Sequence, residues 1–335
     1  MVIRRLQKVG ASTFTVALPK EWVIARGLGP KSEIDLQILD DGNIRISTLS
    51  SAKRREKEIT IKPKEEDAGF LIRRVLAAYI AGYDIIRIDL SELELNLEGR
   101  EKLRKTVKYK MAGAEIIEES TNGITVQIIL RPYEFPLNKI LLRMTDLTHN
   151  MILDICKALI SKNRDILLDV IERDDDVDKL YFMGSRWLTG IMEEAGSPID
   201  YDIKKGREVL EYRLIFRHVE RVADHVCKIA AKLLDLIDIL DEEVLSEIRE
   251  ELERSGRAFV KSINSIGGKN INEANKTIHE ARAVVKNSEE IVDRISKNTD
   301  ERRMGALVII ADSIKRIAEY GIGISEIVFN LSIES

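Results

Sequence analysis

The sequence has little that would cross-link it or anchor it in a membrane. It contains two cysteines in 335 residues, and both Cys156 and Cys227 fall in apolar helical patterns without a CxxC partner. This usage predicts reduced thiols in a cytosolic compartment and not a disulfide framework. The sequence has no apolar run long enough to span a bilayer, and its first residues are charged, unlike a signal-peptide core. We therefore expect a cytoplasmic protein without a transmembrane segment.

Aromatic residues are also scarce, at 5%, whereas charged residues make up 33% of the chain. That balance is typical of a well-solvated helical protein and disfavours a β-sandwich. A nucleophile–base pair is not evident, and the segment 59–130 has no glycine-rich phosphate loop. A metal-dependent phosphohydrolase is therefore disfavoured, and we expect a protein that is not an enzyme.

The charge that is present is unevenly distributed. The net charge is −4, but residues 1–57 carry eleven Lys and Arg against six Asp and Glu, which is about +5 and leaves about −9 for the remainder. A basic N-terminal segment attached to an acidic body indicates a binding partner for the basic part.

Residues 1–50 are predicted to form short strands and turns. The stretch PKEWVIARG predicts a short helix with Pro19 at its start and Gly27 just past its end, and Asp41-Gly42 predicts a two-residue hairpin turn. Fifty residues of short strands cannot bury a core alone. We therefore expect a homodimer that forms through this segment.

The remaining chain predicts a multidomain, mainly α protein. Residues 59–130 alternate strand and helix patterns and predict a small α+β domain, joined to the first by a polar linker. Residues 136–335 are helical throughout, in six amphipathic segments. The segment 313–328 is similar in pattern to 218–233, which suggests an internal repeat of two three-helix bundles.

One helical stretch, RHVERVADHV, contains Glu220 and Asp224 one turn apart, where like charges repel. A helical wheel places them opposite an apolar stripe, so we expect them to form an outward acidic ladder, with Arg213 and Arg217 on the same side. That stripe comprises Ile215, Val219, Val222, Val226, Ile229 and Leu233.

Two other helices of the same bundle have oxygen ligands at the same spacing, Asp174 with Asp178 and, more weakly, Asp146 with Asn150. Three such helices can converge on a cation, and a ligand from His225 would favour iron, zinc or manganese over Mg²⁺ or Ca²⁺, which stay open. The alternative is ordinary surface charge. In the repeat, Lys315 and Glu319 replace Glu220 and Asp224, so we expect a self-neutralising pair there and the stronger metal site in the first bundle.

The ERVADH and RDDDVDKLYF stretches resemble the repeated E(D)xxxD signature of the PhoU family of phosphate-uptake regulators. The resemblance covers residues 136–332, and it implies two three-helix bundles, metal binding at the carboxylates, and a regulatory partner such as a phosphate-transporter ATPase. The KRIAEY stretch departs from the signature at Lys315.

The N-terminal stretches IRRLQKVG and ALPKEWVIARGLGPKSEIDLQIL are similar to the swapped-hairpin DNA-binding domains of the AbrB/SpoVT family. Joined to a PhoU-like body, they resemble an archaeal phosphate regulator. The resemblance implies double-stranded DNA as a partner. We expect DNA contacts from the basic residues of this segment, which are Arg4, Arg5, Lys8, Lys20 and Arg26. The alternative is an adaptor that controls a phosphate ABC transporter or sensor without binding DNA.

Overall fold

The computed structural model describes residues 3–38, 42–48, 56–64, 67–93, 95–130, 135–193, 203, 206–295 and 301–333. The chain divides into two compact units, Met1–Glu56 and Lys57–Ser335. Among the residues described, no helix combines the length and the apolar character needed to cross a membrane. Residues 50–55 of the predicted linker, which spans 50–58, lie outside the described ranges.

The N-terminal unit contains two hairpins and one short helix. Strand β1 (Gln7–Val9) pairs antiparallel with β2 (Thr13–Thr15), and β3 (Ile34–Ile38) pairs antiparallel with β4 (Ile44–Thr48). Helix α1 (Lys20–Ala25) follows Pro19 and ends before Gly27, whose φ is +64°, as predicted.

The predicted two-residue turn at Asp41-Gly42 falls partly on Asp41, which lies outside the described residues. The described pairing of β3 with β4 runs from Ile34 opposite Thr48 to Ile38 opposite Ile44.

Within the described part of this unit, no side chain is fully buried. Trp22 is half-buried. Large apolar side chains lie exposed in the unit: Ile3, Leu6, Val9, Phe14, Val16, Ile24, Leu36, Ile38 and Ile44. A single copy of the unit therefore does not close a hydrophobic core.

The second unit begins with an α+β domain. It comprises β5 (Glu58–Ile61), α2 (Ala68–Ile80), β6 (Ile85–Asp89), α3 (Leu97–Lys110), β7 (Ala114–Glu119) and β8 (Gly123–Ile128). The strand order is β5-β6-β8-β7, with β5 parallel to β6 and the other pairs antiparallel. Asp67 and Asn96 cap α2 and α3 by accepting hydrogen bonds from the Phe70 and Gly99 amides.

The helical body forms two three-helix bundles around one continuous core. The first contains α4 (Leu137–Ser161), a second helix divided at Arg173 into α5 (Arg164–Glu172) and α6 (Asp174–Glu193), and α7 (Gly206–Leu236). The second contains α8 (Glu242–Gly267), α9 (Ile271–Ile295) and α10 (Glu301–Ser332). One of the six predicted helical segments, residues 164–195, is interrupted at Arg173. The three aspartates that follow Arg173 favour the start of a new helix, because negative charge stabilises a helix N-terminus.

The α+β domain is attached to α6 through Arg186, whose residue surface is only 3% exposed. Its guanidinium donates to the carbonyl oxygens of Tyr79 and Tyr83 at 2.7 and 2.8 Å and to Asp84 Oδ1 at 2.9 Å. A buried guanidinium with three acceptors holds the two surfaces together, since removing those acceptors would leave a buried charge without partners.

The two bundles meet where α7 packs against α10, and the contacts there are repeated. His225 Nδ1 lies 3.2 Å from Ser313 Oγ, and the rings of His218 and Tyr320 have centroids 5.4 Å apart. An offset of 95 residues maps His225 onto Tyr320 and His218 onto Ser313, so each contact maps onto the other. This exchange is what a local two-fold axis between repeated helices produces, and it supports the internal repeat.

Candidate functional site

Four carboxylates on α6 and α7 form one electrostatically coupled group, here called the carboxylate face: Asp174, Asp178, Glu220 and Asp224. The charges of Asp178 and Asp224 both act on Asp174, and both also act on Glu220. The i, i+4 spacing places each pair on one side of its helix, and the packing of α6 against α7 brings the two pairs together.

Glu220 does not lie on an outward ladder, as the helical wheel predicted; it is only 8% exposed. The wheel treats α7 as an isolated cylinder, whereas α6 packs alongside it and arginine side chains fold over the carboxylate. Burial, followed by the charge of Asp224, raises the pKa of Glu220 to about 7. Among the described residues, Glu220 Oε2 is buried without a hydrogen-bond donor.

Asp174 has a similar environment at the start of α6. Burial and the neighbouring Asp178 raise its pKa to about 6, while a hydrogen bond with Cys227 opposes the increase. The pKa of the Cys227 thiol is itself raised by burial and by Asp174. The Cys227 thiol, which the sequence places in an apolar helical pattern, thus adjoins the carboxylate face.

Basic side chains neutralise part of the face. Arg217 Nη1 donates to Glu220 Oε1 at 2.8 Å, and Arg221 Nη1 donates to Asp224 Oδ2 at 2.7 Å. From the α+β domain, Lys110 Nζ donates to Asp178 Oδ2 at 2.8 Å and lies 3.4 Å from Asp175 Oδ1. Arg213, predicted beside Glu220, instead places its guanidinium over the Tyr181 ring at 5.3 Å.

Two predicted ligands make their contacts with other neighbours. Asp146 is exposed on α4, and its charge acts on His149 of the same helix. His225 faces α10, where it contacts Ser313 and its ring lies 5.9 Å from that of Tyr320. Burial and the neighbouring Lys228 lower the pKa of His225 to about 4.

The corresponding face of the second bundle is neutralised differently from our expectation. Lys315 does not pair with Glu319; its Nζ donates to Glu289 Oε1 of α9 at 2.5 Å. Glu319 accepts from Arg316 Nη1 at 2.9 Å. The prediction considered α10 alone, and the partner of Lys315 comes from the neighbouring helix.

The donors of the carboxylate face fit a cation in chemical type. They are oxygen ligands, as hard cations require, and the buried Oε2 of Glu220 lacks a donor in the described structure. In the geometry described, however, no three His, Cys, Asp or Glu side chains converge closely enough to hold an ion as they stand. Cation binding therefore requires side chains to move, including the basic ones that now contact the carboxylates.

The five predicted DNA-contacting residues are all exposed in the N-terminal unit. Lys8 lies on β1, Lys20 begins α1 and Arg26 follows its last residue, whereas Arg4 and Arg5 precede β1 and do not lie on it. Their cationic groups are thus accessible to a polyanion.

Comparison with known proteins bears on the first bundle. Residues 141–233 match the family model of the PhoU domain, and this range encloses the carboxylate face. The body contains a PhoU-like domain. The match spans less than half of the chain and does not reach the second bundle.

The similar chains among solved structures include one described as the crystal structure of PhoU from Pseudomonas aeruginosa. It is 17% identical, covers 58% of this chain and 94% of its own, and aligns with a TM-score of 0.47. A search of curated proteins found no match.

Sequence reasoning missed Cys227, Arg221 and Lys110 as neighbours of the carboxylates. Cys227 follows Asp224 by three residues and Glu220 by seven, a helical spacing that indicates a shared side. Nothing near Lys110 in the sequence indicates a contact 68 residues away with Asp178.

Proposed function

We propose that this chain is a regulator of phosphate homeostasis, and not an enzyme, that binds double-stranded DNA as a homodimer and binds a cation through its helical body. The observation that carries the proposal is the PhoU-domain match over 141–233, because it encloses the carboxylate face described above. The charge of the N-terminal residues supports the DNA-binding part.

For the cation, we assign Asp174, Asp178, Glu220 and Asp224 as the residues that would hold it. A transition metal such as iron, zinc or manganese, or else Mg²⁺ or Ca²⁺, would supply positive charge that links α6 to α7. Asp146 and His225, which sequence reasoning added, are left out of this set because each faces another neighbour.

For the homodimer, the support is the absence of any fully buried side chain in the described part of the N-terminal unit. In an intertwined dimer, exposed apolar residues such as Ile38 would become the shared core. Ile38→Glu in the full chain should convert dimer to monomer in sedimentation at low micromolar concentration, if this unit holds the dimer. Leu97→Glu is the matched control, since Leu97 is equally exposed on α3 and should leave the dimer intact.

For DNA, Arg4, Arg5 and Lys8 from two chains offer six cations to one duplex. If all six contact phosphates, the logarithm of the affinity should fall against the logarithm of salt concentration with a slope of roughly −5, from about −0.9 per contact. Fluorescence anisotropy with duplex DNA over a salt series measures this slope. Lys20 and Arg26 would add phosphate contacts and steepen it.

Single alanine variants distinguish contacts with phosphates from contacts with base edges. Lys8→Ala should weaken binding to all sequences and flatten the slope, whereas Arg4→Ala or Arg5→Ala should also reduce preference for the native promoter if either residue contacts base edges. Lys105→Ala, at an exposed position of α3, is the control, and this variant should bind DNA as the wild type does. Absent or salt-insensitive binding in the wild type would contradict the DNA-binding proposal and favour an adaptor acting on a phosphate-transporter ATPase or another regulatory protein.

A further inference from the structure

An apolar stripe runs along the outward side of α4. It consists of Leu142, Leu153 and Ile160, which are 50%, 38% and 66% exposed although α4 packs against four other helices. The three positions lie within about 20° of one another on an α-helix, and the first and last are about 27 Å apart along it. Their spacings of eleven and seven residues follow the 3.5-residue period by which helices pair. A row of this kind indicates an interaction surface, whereas a single exposed leucine does not.

The second bundle does not carry this stripe. Lys162 after α4 and Lys269 after α8 both adopt a left-handed backbone conformation, with φ of +53° and +47°, and both precede an asparagine. They relate the two helices by an offset of 107 residues. At that offset, the positions of the stripe are occupied in α8 by Arg249, Val260 and Gly267. The packing of the repeated bundle therefore does not account for the three apolar side chains on α4.

The stripe is complementary to itself when two copies of α4 run antiparallel. With a two-fold axis at position 151, Leu142 lies nine residues before the axis and Ile160 lies nine residues after it. Leu142 of one copy therefore faces Ile160 of the other, and this contact occurs twice. His149, two residues before the axis and half-buried, faces Leu153, two residues after it. One register thus places every member of the stripe opposite another side chain of the same surface.

The charges beside the stripe match in the same register. Asp146, which is exposed, lies five residues before the axis, and Lys157 lies six residues after it on the same side of the stripe. In an antiparallel helix pair, that side of one copy meets the same side of the other, so two Asp146–Lys157 ion pairs form. Lys157 now contacts Asp154 at 2.7 Å, and its side chain is 69% exposed. Asp154 also accepts from Arg173 at 2.6 Å, so it keeps a partner when Lys157 turns away.

We propose that α4 pairs antiparallel with α4 of a second copy of this chain, through the stripe and the two flanking ion pairs. A strip about 27 Å long and about 10 Å wide on each copy buries roughly 500 Å² in total. That is less than half of the roughly 1,200 Å² that stable complexes bury, so the pair is weak alone. The inference therefore rests on the proposed dimer of the N-terminal unit, which would hold two copies of α4 at an effective concentration in the millimolar range. The pairing would bring the two helical bodies of that dimer into contact.

Disulfide formation in the full chain tests the pairing. Leu142→Cys with Ile160→Cys should form a dimer linked by disulfides on mild oxidation, because the two positions face each other between the copies. A disulfide within one chain is excluded, since the two positions are about 27 Å apart along α4. Burial raises the pKa of both native thiols, Cys156 and Cys227, and keeps them unreactive. Electrophoresis without reducing agent measures the linked dimer.

The two single variants are the controls. Leu142→Cys alone and Ile160→Cys alone should each give little linked dimer, because neither position faces its own equivalent. Cross-linking by a single variant as fast as by the double variant would overturn the antiparallel register. Absence of the linked dimer in the double variant would overturn the pairing itself.

Charge reversal on the double-cysteine background tests the register. Asp146→Lys replaces two attractive pairs by two repulsive ones, so it should slow cross-linking at least about fivefold. Adding Lys157→Asp restores opposite charges and should return the rate to within about twofold of the double-cysteine chain. Glu326→Lys makes the same change of charge at an exposed site on α10 and should leave the rate unchanged. Failure of Lys157→Asp to restore the rate would contradict the Asp146–Lys157 pairs and the register that produces them.

The outcomes separate this pairing from the proposed N-terminal dimer. If Ile38→Glu dissociates the wild-type dimer in sedimentation, and the double-cysteine chain does not cross-link, the α4 pairing is overturned and the N-terminal dimer stands. If the double-cysteine chain cross-links equally fast with and without Ile38→Glu, the α4 pairing stands and the N-terminal unit is not what joins the copies. If the wild type sediments as a monomer and the double-cysteine chain does not cross-link, both proposals fail.

Discussion

The two three-helix bundles share a connectivity, but the third helix of each carries a different charged face. In the first, Glu220 and Asp224 are coupled to two more carboxylates on α6, and the pKa of Glu220 is raised to about 7 by burial and Asp224. In the second, Lys315 occupies the repeat position of Glu220 and contacts Glu289 on α9. The same scaffold thus carries an excess of negative charge in one copy and an internal counter-charge in the other.

This difference shows how a repeat can keep its packing and change its chemistry. The helix contacts between α7 and α10 follow the repeat offset, through His225 with Ser313 and His218 with Tyr320. A change of sign at the repeat position shared by Glu220 and Lys315 leaves such contacts intact. We expect cation binding in the first bundle alone, and the predictions below test that asymmetry.

The largest expected effect concerns the close approach of α6 and α7. A Cβ on Gly184 would lie 2.4 Å from a ring carbon of Phe216, which is fully buried. Gly184→Ala should therefore lower the free energy of unfolding by about 2–3 kcal/mol, the usual cost of overpacking. Urea unfolding followed by fluorescence of the buried Trp187 measures it.

Gly321 of α10 is the matched control in the second bundle. A Cβ there would make ordinary contacts with the Phe259 backbone at 3.5 Å. Gly321→Ala should be neutral or stabilising by up to about 1 kcal/mol, because alanine favours the helix. Equal losses in both variants would contradict a tighter helix pair in the first bundle.

Glu220 should make stability depend on pH near neutrality. The pKa of Glu220 in the folded protein is raised to about 7. Its contribution to the free energy of unfolding is therefore fully present below its pKa in the unfolded chain, and it is lost as the pH rises through 7. Glu220→Gln should therefore be more stable than the wild type by about 1 kcal/mol at pH 8, after allowance for solvent screening, and should lose that advantage below about pH 4.5. A constant difference from pH 4 to pH 8, measured without metal, would refute this.

His225 should produce the opposite dependence at the junction of the bundles. Its pKa is lowered to about 4 by burial and Lys228, with Arg316 adding to the decrease and Asp312 and Asp224 opposing it. The contribution of His225 to the free energy of unfolding is present above its pKa in the unfolded chain, and it is lost as the pH falls through 4. Wild type should lose about 1 kcal/mol between pH 7 and pH 4 that His225→Gln does not lose. His279→Gln, at an exposed site on α9, should follow the wild type.

The smallest effect is expected for Lys315. Lys315→Met removes one ion pair whose lysine and glutamate side chains are 28% and 60% exposed, so stability should fall by less than about 1 kcal/mol. Thermal unfolding at low and high salt measures the change. A loss that persists in 1 M salt would indicate a role beyond charge neutralisation.

The periodicity of α7 predicted its core correctly, because every residue of the apolar stripe from Ile215 to Leu233 is buried. Periodicity records which side of a helix is covered by the core. It does not record what a second neighbour covers, and for that reason Glu220 was placed in solvent and the partner of Lys315 was sought on its own helix.

The contacts of Lys110 and Arg186 depend on the docking of a separate domain, so no local pattern indicated them. The interruption at Arg173 is different in kind. A run of aspartates is a helix-start signal that can be read in the sequence, and the continuous apolar pattern on either side of it obscured the break.

Metal content measured by elemental analysis, after purification and reconstitution with Mn²⁺, tests the asymmetry most directly. The pair Glu220→Ala with Asp224→Ala should lower the bound metal per chain relative to the wild type, because it removes two of the four carboxylates of the face. The pair Lys315→Ala with Glu319→Ala, at the repeat positions, should leave the metal content nearly unchanged. Unaltered stoichiometry in the first pair, or an equal loss in both, would contradict a cation site confined to the first bundle.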